Sequence, residues 1–137
     1  MIDKAVLKAA AVALLDTVAE EHPAGHQASK ARRYVLAAPG GTALEVMFEQ
    51  DEGSSAHLWV HRAAAGPLAS RGEQKTASAL WKKLGKDGRP SYGRHSGLRI
   101  MPQLAEADLV RFKLNSLAEL GGVVDQLLAA SAAGVSP

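Results

Sequence analysis

The chain contains no cysteine, which excludes disulfides, thiolate metal sites and cysteine nucleophiles at the outset. Aromatic residues are scarce, 4% of 137 positions, while hydrophobic residues together reach 47%. An aliphatic core with closely packed, alanine-rich helices is therefore expected, and wholesale disorder is ruled out. No apolar run approaches the roughly 20 residues needed to span a bilayer. Met1 to Leu15 has helically spaced apolar positions bracketed by Asp3 and Asp16, and lacks the continuous apolar block of a signal peptide. A cytoplasmic location and no membrane partner are the expectations. The P-loop, G-x-G-x-x-G, G-x-S-x-G and H-E-x-x-H signatures are all absent.

What is present is organised around Ala43 to Arg62. Leu44, Val46 and Phe48 alternate with Glu45, Met47 and Glu49; after a polar break, Leu58 and Val60 alternate with His57, Trp59 and His61. Alternation on both sides of a glycine-containing turn predicts a β-hairpin. Placing every apolar residue of both strands on one face requires even positions to pair with even ones, because a one-residue slip turns the whole set toward water, and the shortest comfortable closure of the turn then sets the register. Phe48 then faces Leu58 and Val46 faces Val60. On the other face Glu49 meets His57, Met47 meets Trp59 and Glu45 meets His61.

On either side of the hairpin the chain reads as helix, strand and loop. Val6, Ala10, Leu14 and Val18 repeat at helical spacing, which predicts a helix over 3–21 with Asp3 as N-cap. Residues 24–33 read as a loop, 34–37 as a short strand and 63–69 as a connection. Ser70 and Glu73 match a capping box, which predicts a helix over 71–84. A loop over 86–95 follows. Ser96 then opens a short helix over 96–105, the alternative being a strand at 97–101 with Pro102 starting a single turn. Val110, Phe112 and Leu114 predict a strand over 109–114. Ser116 and Glu119 cap a final helix, in which Gly121-Gly122 marks an expected close approach to the sheet.

The expectation is one α+β domain over 1–131, with 132–137 as a frayed tail. It has a small, mainly antiparallel sheet of three or four strands, with the N- and C-terminal helices packed on one face.

Two groups of residues could carry function. The hairpin's second face offers Glu45, Glu49, His57, Trp59 and His61, joined by Arg111 and Lys113, as a candidate interaction face. A carboxylate beside an imidazole can orient a general base, and it should raise the pKa of His57 and His61. The two histidines lie about 13 Å apart along the strand, too far to share an ion. No metal, cofactor or catalytic residue is assigned.

The second group is basic. Five basic residues stand against eight acidic ones before position 61, and eleven against six after it. Lys82, Lys83, Lys86, Arg89, Arg94 and Arg99 fall close together, with Tyr92 and His95 among them. Such a cluster can contact phosphates. It points to a small non-catalytic module whose partner is DNA or RNA. The alternatives are an interaction or inhibitory domain for an acidic protein surface, and a small hydrolase built on a Glu/His pair.

Overall fold

The computed structural model describes residues 3–82 and 84–137. Helix α1 spans Lys4–Val18, and Asp3 caps it by accepting hydrogen bonds from the amides of Ala5 and Val6 at 2.8 and 3.4 Å. Leu7, Ala11 and Leu15 form its buried stripe. The helix stops short of Glu21 because Glu20–Glu21 pairs as strand β1 with β2, Ala31–Leu36. Strand β2 starts three residues before the expected Tyr34, so Arg32 and Arg33 lie in the sheet rather than in a loop.

Strands β3 (Leu44–Glu49) and β4 (His57–His61) form the hairpin in the expected register. Val46 faces Val60, Met47 faces Trp59, Phe48 faces Leu58 and Glu49 faces His57. Two short elements follow: helix α2 (Arg62–Ala65) and a 3-10 turn over Gly66–Arg71. Strand β5 (Glu73–Lys75) then pairs with β6 (Leu109–Lys113), which also flanks β4. The sheet is antiparallel with order β1-β2-β3-β4-β6-β5. It has six strands where three or four were expected. The additional edge strands are two and three residues long, too short to show alternation in sequence.

The α+β class holds. Helix α3 (Leu117–Ala132) and α1 cover one face, where Val46, Phe48, Leu58, Val60, Val110 and Phe112 meet Leu15, Leu120, Val124 and Leu127. The Ser116 hydroxyl accepts from the Glu119 amide at 3.1 Å, and the Glu119 carboxylate reaches back to the Asn115 amide at 3.0 Å, one residue before the usual partner. Gly121 and Gly122 do not approach the sheet, since a Cβ at either would meet nothing within 4 Å. The close approach occurs at Gly41, where a Cβ would collide with the Ser131 hydroxyl and backbone. Ser131 accepts from the Ala38 amide, and Thr42 bonds the carbonyls of Ser131 and Val135, so the end of α3 is tied to the β2–β3 connection.

The largest departure is on the other face. Among the described residues the α-helix expected over 71–84 does not form and Ala77–Ala79 is a single 3-10 turn, because residues 73–75 take the free edge of β6 and Glu73 pairs with Arg111 at 2.6 Å and Lys75 at 2.8 Å. Sheet pairing overrides local helical propensity there. Nor does 96–105 become a helix or a strand. It is a 3-10 turn at Ser96–Leu98 followed by further turns, with amides of Met101 and Leu104 donating three residues back. The described residues of 76–108 thus form an irregular cover across the sheet. Leu98, Met101 and Leu104 pack beneath it on Ala31, Met47, Trp59 and Leu109. The architecture is three-layered: helices, sheet, cover. Among the described residues no helix is long and apolar enough to cross a membrane.

Candidate functional site

The hairpin face offered as a candidate interaction face lies under this cover. Glu45 and Glu49 are buried and Trp59 is only 2% exposed. Burial of carboxylates requires partners, and both have them. Glu49 accepts from Trp59 Nε1 at 2.8 Å and contacts His57 Nδ1 at 2.8 Å. The Arg111 guanidinium lies 5.4 Å over the Trp59 ring. Glu45 does not meet His61. It contacts His22 Nε2 at 2.6 Å and accepts from the Gln103 amide at 2.7 Å. His22 Nδ1 accepts from the Ala24 amide, so its hydrogen sits on Nε2 and is donated to Glu45.

These Glu/His pairs are interior contacts: Glu49 and His57 are cross-strand neighbours on β3 and β4, and His22 reaches Glu45 from the chain just after β1, while Glu45 also meets Gln103 of the cover. The cavities beside α3 (about 580 Å³) and beside β1 (about 410 Å³) are lined by neither carboxylate nor either hairpin histidine. As an interaction face the set is therefore dismantled: Glu45, Glu49 and Trp59 are buried, His57, His61 and Arg111 half-buried, and Lys113 exposed.

His61 instead accepts the Ala63 amide at Nδ1, opening α2. Burial pushes its pKa below 6.5, opposed by Asp108, the reverse of the rise expected from a carboxylate beside it. His26 accepts the Arg33 amide at 2.9 Å and is also pushed below 6.5, by burial and then by Arg32. Both imidazoles are held in the neutral form, so the unfolded chain takes protons first as pH falls. Their contribution to stability is present above the unfolded pKa of about 6.5 and lost as pH falls through the folded values. Through these two groups thermal unfolding should accordingly move to lower temperature as pH falls below about 6.5. Imidazole NMR titrations should show both midpoints under that value; a His61 midpoint above it would refute this assignment.

The cover itself is pinned by side chains rather than by regular structure. Arg94 donates to the carbonyls of Lys75, Leu104, Ala105 and Ala107 at 2.5 to 3.3 Å. Burial lowers its pKa, though a guanidinium stays charged. The Tyr92 hydroxyl donates to the Ala105 carbonyl at 2.7 Å, and burial raises the phenol's pKa. His95 accepts from the Gly97 amide. Of the residues selected from sequence for phosphate contact, Arg94 is therefore spent on the fold and His95 caps a turn. Arg33 likewise donates to the Gly97 and Gly25 carbonyls, and Arg32 engages Asp16 and Tyr34.

The outer surface of the cover carries the rest. Lys82, Lys86, Arg89 and Arg99 are exposed; Lys83 lies outside the described residues. Among the described residues the only ion pair these four make is Arg89 with Asp87, at 4.0 Å. Arg99 lies 5.5 Å over the Trp81 ring and 5.7 Å over that of Tyr92, and the two rings meet edge-on at 5.6 Å. Sequence reading missed Trp81, because the expected helix turned it inward. Its place beside two lysines, with Tyr92 further along the same basic stretch, was the available signal. Among the described residues no cluster of three His, Asp or Glu side chains could hold a metal ion. No family model, curated protein or solved structure matches this chain.

Proposed function

We propose that the chain is a non-catalytic nucleic-acid-binding module that contacts phosphates through the outer surface of the 76–108 cover. The observation that carries this reading is a set of exposed cations on a fixed base. Lys82, Lys86, Arg89 and Arg99 project from a segment whose underside is locked by Leu80, Leu98, Met101, Leu104 and the Arg94 staple. Long cationic side chains with little acidic competition release counterions when they meet a polyphosphate, which supplies sequence-independent affinity. The hydrolase reading has little support, since Glu45 and Glu49 are buried and engaged by His22, Gln103, Trp59 and His57.

The test replaces Lys82, Lys86, Arg89 and Arg99 together by alanine. All four are exposed, so thermal unfolding should change little. Binding to DNA or RNA should weaken, and its log–log salt slope should flatten by about 0.7–0.9 for each phosphate that is no longer neutralised. Absence of wild-type binding to any nucleic acid at about 50 mM salt would overturn the reading, since such electrostatic binding is strongest at low salt. Binding of an acidic protein under the same conditions would favour the alternative partner.

A further inference from the structure

The four cations account for phosphate contact but not for Trp81. It is 40% exposed, and two other large apolar residues of the same cover, Leu84 and Ile100, are 64% and 60% exposed. Leaving an indole at the surface forfeits burial of a large apolar area, and this one is not loose. Tyr92 meets it edge-on at 61°, and the Tyr92 hydroxyl is itself tied to the Ala105 carbonyl. The Arg99 guanidinium lies over both rings, so a cation caps one side of the aromatic pair. The result is a partly exposed indole held in place, with a positive charge over its ring.

Building on the phosphate-contact reading above, we infer that Trp81 is a stacking platform for an unpaired base, and that the preferred ligand is single-stranded nucleic acid. A base on the indole brings its phosphodiester close to Arg99 and the neighbouring Lys82. Base–aromatic stacking needs a free π-face, which every unpaired base offers whatever its identity. In a duplex the bases are stacked on each other, and opening a step to admit a side chain costs a few kcal/mol. The aromatic surface therefore adds affinity for single strands and none for double strands.

The chain's two tryptophans make this measurable. Trp59 is 2% exposed and bonded to Glu49, while Trp81 is at the surface. Titration with oligothymidylate and with oligouridylate should quench the fluorescence of Trp81, and a duplex of equal length should not. Whichever single strand binds more tightly identifies DNA or RNA as the source of the base. Trp81→Ala should bind single strands roughly 5- to 150-fold more weakly, with duplex binding unchanged. Trp81→Phe should retain most of the affinity and lose the quenching. If Trp81→Ala proves unstable, wild-type quenching and the Trp81→Phe comparison still decide the matter. Equal, salt-sensitive binding of single and double strands without quenching would overturn the stacking inference while leaving phosphate contact standing. No binding of any strand would overturn both.

Discussion

Met47→Asp is expected to leave the chain unfolded, and so is Val46→Asp. The two residues are adjacent on β3 and point to opposite faces. Both are 0% exposed, Val46 beneath the helices and Met47 beneath the cover. An unpaired carboxylate in either place costs several kcal/mol, a large part of the roughly 5–15 kcal/mol that holds a domain folded. Loss of the cooperative thermal transition and collapse of near-UV circular dichroism would record it. A sheet open to water on one side predicts a different pattern, in which Val46→Asp unfolds the chain and Met47→Asp costs little. Near-native unfolding of Met47→Asp would thus refute the three-layer architecture.

Arg94→Ala should cost about 2–4 kcal/mol in a urea titration, since one hydrogen bond to a charged group is worth about 1.5–3 kcal/mol and at this half-buried site water takes over part of what is lost. The guanidinium reaches four carbonyls, that of Lys75 on β5 and those of Leu104, Ala105 and Ala107 in the cover, and so ties the cover to the sheet edge. A planar, multi-donor head suits that arrangement, and lysine offers a single ammonium in its place. Arg94→Lys should therefore recover less than half of the loss. The affected surface also carries Trp81 and Arg99, so nucleic-acid binding should fall along with stability. Weakened binding at unchanged stability would instead place Arg94 among the phosphate contacts.

The hairpin shows how much of the fold is written locally. Leu44, Val46, Phe48, Leu58 and Val60 share one parity, which limits the hairpin to even pairings, and the short turn selects among them. The observed pairs of Met47 with Trp59 and Glu49 with His57 follow from the two together. Asp3 and Ser116 likewise mark helix starts, because their side chains act on amides two or three residues away. In each case the cause and the effect lie within a few residues of each other.

The cover was not legible in this way. Leu80 and Leu84 suit a helix as well as a series of turns, and only capture of residues 73–75 by the edge of β6 decides between them. The identity of the buried face was equally hidden. Glu45, Glu49 and His57 look like a solvated row, and they are polar enough to be one. Glu45 is instead buried against His22, 23 positions away, and Gln103, 58 positions away.

The sequence by itself determined the α+β class, the central hairpin register, the terminal helices and a basic stretch with aromatics in it. The tertiary structure alone decided that the sheet is covered on both faces, that Arg94 is a staple, and that Trp81 rather than Trp59 meets solvent. The reason is physical. Alternation and capping report short-range sterics and hydrogen bonds, whereas the burial of a polar or aromatic side chain depends on partners that only folding brings within reach.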